Sequence, residues 1–171
     1  MNTIRTVGHT ITTLLEFLQW SKKLAADRGG YKSMEAFVLD NGRQFTTMAE
    51  QQPKRGRMKE CYRNAALLTI KRRDLIYVEG YAVSIIPVLH AWCINEKGEI
   101  LETTWAPPEH GVIEYYGIPF RRTYLTRELV KWGEYGLLDN WKGEFPVQNT
   151  PRNSWIHPTY RDEKTTQQTV Q

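Results

Sequence analysis

Cys61, His90 and Glu102 follow one another along the chain as thiol, imidazole and carboxylate, the three side-chain types that nucleophilic acyl chemistry requires. A thiol attacks a carbonyl as its thiolate. It needs a base to take the proton, and a third group to orient the base. Cys61 stands near the start of KECYRNAALLTIKRR (59–73), a stretch with helical apolar spacing. There the unpaired amides and dipole of a helix N-terminus favour negative charge. Glu60 precedes it, so no Ser, Thr, Asp or Asn marks the helix start by capping.

His90 interrupts the apolar strand pattern VLHAWCI (88–94), and an imidazole buried there requires a hydrogen-bond partner. Glu102 lies in EILETTW (99–105), which returns after the turn Asn95-Glu96-Lys97-Gly98. If His90 faces residue 102 or 104 across that hairpin, Glu102 shares its face and can accept its ring N–H. A register shifted by one places the carboxylate on the other side. Taken singly, each residue has an ordinary structural role: a helix Cys packs in a core, a strand His is satisfied by a neighbour, and a strand Glu faces water. Their order along the chain raises the catalytic reading above these.

Other chemistry-bearing residues suit lesser roles. Cys93 is three residues from His90, so it points to the opposite strand face and reads as packing. Cys61, Cys93, His90 and His110 lack the paired spacing of a zinc site, so neither a metal nor another cofactor is expected. The backbone N–H of Cys61 is one oxyanion donor, and Gln44, Gln51 and Gln52, in the stretch before the helix, are candidates for a second. Tyr62 and Asn64 lie within a turn of Cys61 and are placed to shape the site. Trp92 and Trp105 suit either a groove wall or aromatic core.

The segments CYRNAALL, YVEGYA, HAWCINEKGEILETTW and EYYGIPF together resemble the core of the transglutaminase-like cysteine hydrolases, within the broader papain-like group. The resemblance covers about residues 57–120. It implies Cys61 as nucleophile, His90 of His90-Ala91-Trp92 as base, and Glu102 of Glu102-Thr103-Thr104-Trp105 in the place of the usual aspartate. Glutamate is one methylene longer, so its strand must sit slightly differently to make the same bond.

These residues need a scaffold, and the length and composition supply one. At 171 residues, 40% hydrophobic and 25% charged, the chain has apolar surface enough for one core rather than a disordered polymer. Helices are expected over 10–26, with Thr10, Thr12 and Thr13 as candidate caps, over 33–39 behind Ser33, over 59–73, and from Thr126 to about 135. Strands are expected over 75–84, 88–94, 99–105, 112–116 and 119–124, and residues 43–57 read as a surface loop. Helices followed by antiparallel strands make an α+β domain, with the nucleophile-bearing helix packed on the sheet. The expected catalytic domain spans 1–148, and 149–171 reads as a polar tail, partly extended or disordered.

The function expected from these residues is a thiol-dependent hydrolase acting on an amide or peptide bond of a peptide or protein. Acyl transfer to an amine, or deamidation of protein glutamine, is the near alternative. A second class of reading is a catalytically inert binding module. Net charge is +4, and Lys54, Arg55, Arg57 and Lys59, with Lys71, Arg72 and Arg73, suit nucleic acid or an acidic protein. Such clusters are more commonly solvated faces. No apolar run reaches the length of a membrane span and the N-terminus does not read as a secretory signal, so the cytoplasm is the expected compartment.

Overall fold

Val, Ile, Tyr and Trp are concentrated between residues 75 and 94, and this stretch forms the two longest strands. The computed structural model describes residues 4–6, 9–11, 13–27, 33–106 and 114–162. In chain order the elements are β1 (Ile4–Thr6), β2 (His9–Ile11), α1 (Leu14–Asp27), α2 (Met34–Asn41), β3 (Arg43–Phe45), α3 (Cys61–Lys71), β4 (Ile76–Val83), β5 (Pro87–Ile94), β6 (Ile100–Leu101), β7 (Glu114–Phe120), α4 (Arg122–Trp132), α5 (Pro146–Asn149) and α6 (Arg152–Trp155). Two short 3-10 turns, Trp141–Gly143 and Pro158–Tyr160, complete the list. The fold is α+β, as expected.

The main sheet has the order β3-β7-β4-β5-β6 and every pairing is antiparallel; β1 and β2 form a separate two-stranded sheet. Residues 43–49 were expected to be a loop and instead join both edges of the main sheet. Arg43–Phe45 pairs with β7 at one edge. Immediately afterwards the Ile100 N–H donates to the Thr47 carbonyl and the Ala49 N–H to the Ile100 carbonyl, each at 2.8 Å, at the other edge. The sheet is therefore curled. In a flat sheet β3 and β5 would be about 14 Å apart. Here the rings of Phe45 and Trp92 meet edge to face at 5.8 Å, and Tyr115 meets Trp92 at 5.0 Å. A three-residue strand with one apolar residue is too short to show its period in the sequence.

Gly117 makes this inner packing possible. A β-carbon there would come within 2.6 Å of the Trp92 ring and 2.9 Å of the Glu79 carbonyl. On the outer face Tyr81 donates to Glu35 of α2 at 2.9 Å, Phe17 of α1 packs on Tyr81, and Cys93 bonds to Thr69 and the Ala65 carbonyl of α3. Helices thus cover the outside, and the aromatic rings fill the inside.

Local signals set several boundaries. Thr13 and Glu16 form a capping box at α1, each side chain accepting from the other's N–H, and Ser33 caps α2 as expected. Residues 9–11 belong to β2 rather than to the helix. Helix α4 starts at Arg122 instead of Thr126, whose hydroxyl bonds back to the Arg122 carbonyl, and it ends at left-handed Gly133, φ 71°. The two strands expected over 112–124 are one, because Gly117 and Pro119 are accommodated within β7.

The expected boundary at residue 148 is also corrected. Trp155, Ile156 and Tyr160 are buried, Ile156 bridges to Phe120, and the His157 N–H donates to the Pro119 carbonyl. Three apolar anchors are enough to dock this otherwise polar stretch on β7, so the packed unit runs to residue 162; residues 163–171 lie outside those described. Gly117→Ala should lower unfolding stability by about 2 kcal/mol, because Trp92 cannot retreat from a packed interior. Urea denaturation checks this, and an unchanged midpoint would contradict the close packing.

Candidate active site

The three residues separated by 29 and 12 positions in the chain meet at one end of α3. Cys61 is the first residue of α3 and is partly exposed. The turn before it is tight: Lys59 adopts the left-handed conformation with φ 66°, and Glu60 at the N-cap makes no capping bond. Glu60 instead binds Arg63 at 2.9 Å. The first turn of α3 therefore carries no acidic residue of its own and no side-chain cap, which leaves its amide end favourable to an incoming negative charge.

His90 is 1% exposed and points to the same side of β5 as Trp92. Its Nε2 lies 3.0 Å from Glu102 Oε2, and the Cys61 thiol is near enough to act on the ring. With Nε2 committed to Glu102, Nδ1 is the nitrogen left for sulfur. Burial by itself would lower the imidazole pKa, but the nearby Cys61 thiol and the bond and charge of Glu102 outweigh it and raise it to about 9. Trp105 stacks on the ring at 3.9 Å between centroids, fixing its plane.

Glu102 is 2% exposed and has both oxygens doubly engaged. Oε2 accepts from Tyr115 Oη at 2.8 Å besides meeting His90, and Oε1 accepts the N–H groups of Thr104 and Trp105 at 2.8 and 3.1 Å. Burial would raise this carboxyl; the bond and charge of His90, with the two amides, hold it below the ordinary glutamate range. The hairpin register decides the encounter. Cys93 pairs with Leu101 and Ile94 with Ile100, so the same register sets 104 opposite His90 and places Glu102 on its face. Ladder pairing stops at Leu101, where the expected strand over 99–105 breaks off, and the chain turns so that Glu102 Oε1 caps its own following amides.

The surrounding residues explain how this geometry is held. Asn64, one turn after Cys61, donates to the Arg57 carbonyl at 2.8 Å and to Thr104 Oγ1 at 2.9 Å, which ties the helix to the acid-bearing segment. Gln52, a candidate oxyanion donor, has another job. Its Nε2 donates to the Ala49 and Ile100 carbonyls and its Oε1 accepts from the Glu102 N–H, so both its donor hydrogens are used. Gln44 alternates with inward-facing Phe45 on β3 and so faces outward. Gln51 is exposed. None of the three is brought to the thiol as a second donor. Trp92 is core, Trp105 is part of the site, and His110 lies outside the described residues.

Cys93 is fully buried under α3, and burial, only partly offset by Thr69, raises its thiol to about 12. Tyr115 and Gln52 were not singled out as partners of Glu102 in the sequence, since both reach it only through sheet curling. Glu79 was also missed, although a carboxylate inside the apolar run IYVEGYAV is a visible signal. It is fully buried, accepts from Tyr77 and from the N–H groups of Leu137 and Leu138, and lies beneath Tyr62 and Gly136. Burial raises it to about 7 against those three bonds. Its visible work is to pin residues 137–138 against β4.

Comparison of the chain with protein-family models, with curated proteins and with solved structures gave no match.

A folded-state pKa of about 9 for His90, against about 6.5 in the unfolded chain, means stability that is full below about pH 6.5 and lost as pH rises through 9. Glu79, raised to about 7, adds a decline at lower pH, so the diagnostic window for His90 lies between about pH 7 and 9. Across that window the unfolding free energy should fall by about 2 kcal/mol in the wild type and stay nearly level in His90→Gln. Urea titrations at stepped pH measure both, and parallel curves would refute the assigned environment.

Proposed function

We propose that this chain is a thiol-dependent hydrolase of amide or peptide bonds, with Cys61 as nucleophile, His90 as its base and acid, and Glu102 as the orienting carboxylate. One observation carries the reading: His90 is bonded to Glu102 through Nε2 at 3.0 Å while the Cys61 thiol lies close enough to the same ring to raise its pKa. A structural histidine needs only one such partner. A ring held between a carboxylate and a thiol at an uncapped helix end is what proton transfer from sulfur requires.

In this reaction the Sγ proton is held on the His90 ring, whose raised pKa keeps it there, and the thiolate attacks the amide carbon. The carbonyl oxygen takes the electron pair, and the Cys61 N–H at the helix end stabilises the oxyanion. His90 then gives the proton to the departing amine as the C–N bond breaks, leaving a thioester on Cys61. Water, deprotonated by the same ring, releases the acid and restores the thiol. Glu102 keeps the ring oriented and compensates its positive charge throughout. Transfer to an amine, as in a transglutaminase, differs only in the group that resolves the thioester; water is preferred because no amine-binding arrangement among the described residues supports the alternative.

Thiol chemistry separates an enzyme from an inert binding module. In the native protein iodoacetamide should label Cys61 well below pH 8 while Cys93 stays largely unmodified, and peptide mapping reads this directly. His90→Gln and Glu102→Gln should each slow Cys61 labelling about tenfold or more. Cys61→Ser should abolish labelling by a thiol-alkylating probe such as a peptidyl vinyl sulfone. Equal slow labelling of both cysteines would leave the fold without the catalytic reading.

A further inference from the structure

The loop that delivers the chain to Cys61 carries an excess of positive charge. Residues 50–63 contain Lys54, Arg55, Arg57, Lys59 and Arg63 against only Glu50 and Glu60. Glu60 is already engaged by Arg63 and, at 3.8 Å, by Arg57. Lys54, Arg55 and Lys59 are exposed and make no ion pair among the described residues.

A charged loop is ordinarily a solvated face, but this one is fastened to the site. The Gly56 N–H donates to the Thr103 carbonyl at 2.8 Å, and Asn64 grips the Arg57 carbonyl and Thr104 together. Gly56 approaches Asn64 so closely that a β-carbon would stand 2.1 Å from its Oδ1. The cations therefore stand at a fixed rim between the nucleophile's helix and the segment carrying Glu102. Of the carboxylates around Cys61, Glu102 has four partners and Glu79 three, while exposed Asp139 acts on Tyr62 and Glu79.

Resting on the thiol-hydrolase reading, we propose that the substrate is an acidic peptide, held by the cations of residues 54–59 beside its scissile bond. Cations at a rim raise the local concentration of an anionic substrate and orient it. Met58, 67% exposed between Arg57 and Lys59, favours a peptide over a nucleic acid. A peptide side chain covers that apolar group, whereas a phosphate backbone leaves it in water.

Two alkylating reagents of one size and different charge test the rim on the full chain. Iodoacetate is an anion and iodoacetamide is neutral, so the ratio of their rates at Cys61 reads the local field. At about 0.01 M ionic strength the ratio should fall about fivefold in the double variant K54E/R55E, and in the wild type it should fall similarly on raising salt to about 1 M. The double variant K71E/R73E removes the same charge at the other end of α3, about 15 Å away, and should change the ratio less than about twofold. A ratio indifferent to salt and to K54E/R55E overturns the proposal, as does an equal fall in both variants.

As a second arm, a six-residue glutamyl peptide should protect Cys61 from iodoacetamide where a lysyl peptide does not. Protection by a DNA duplex and not by the glutamyl peptide would overturn the assignment to a peptide. If wild-type Cys61 reacts with iodoacetamide no faster than Cys93, the thiol reading itself fails and this proposal falls with it. A fast Cys61 with an unresponsive ratio rejects the proposal alone.

Discussion

Burying a carboxylate beside an imidazole removes two ionisable groups from water, at several kcal/mol for each ion that is left charged. Around His90 and Glu102 that cost is offset by complete satisfaction. Glu102 has four partners, His90 bonds Glu102 beside the Cys61 thiol, and a tryptophan lies flat on the ring. Most other features of the fold near this pair can be understood as what keeps those partners in place. β6 ends after two residues so that the following amides turn back onto Glu102. β7 brings Tyr115 beneath it, and Gln52 straps its backbone to the strip that closes the sheet.

Closure of the sheet is therefore linked to the site. The strip 43–49 bonds to β7 and to Ile100, and the Phe45–Trp92–Tyr115 cluster fills the space it encloses. Tyr115 belongs at once to that cluster and to the Glu102 hydrogen-bond set. Glycine at 117 sets the distance at which Trp92 fits. The inner aromatic packing and the orientation of the carboxylate share residues, so neither can shift alone.

On the Cys61 side the constraint is different. Cys61 owes its position to backbone geometry: a left-handed Lys59, an uncapped helix start and the Asn64 clamp. These groups are near the surface, which suits the nucleophilic role proposed for Cys61. A rigid buried pair thus faces a partly exposed thiol, and the charged rim belongs to the exposed half. Among the described residues no helix is long and apolar enough to cross a membrane.

The sequence alone determined the chemistry-bearing residues and the α+β character, because both are local properties. A lone imidazole in an apolar strand, a thiol at the head of a helical repeat, and the Asn95–Gly98 turn, with Gly98 at φ 78°, are legible without any distant contact. Tertiary structure alone decided which face Glu102 takes, since a two-residue ladder sets the register and nothing in the turn's residues does. It also decided that 43–49 is a strand and a seam, that Gln52 supports the acid instead of meeting substrate, and that Trp155, Ile156 and Tyr160 dock the end of the chain. The last three depend on residues some 36 to 74 positions apart meeting across a curled sheet. Periodicity within one segment carries no record of a partner that far away.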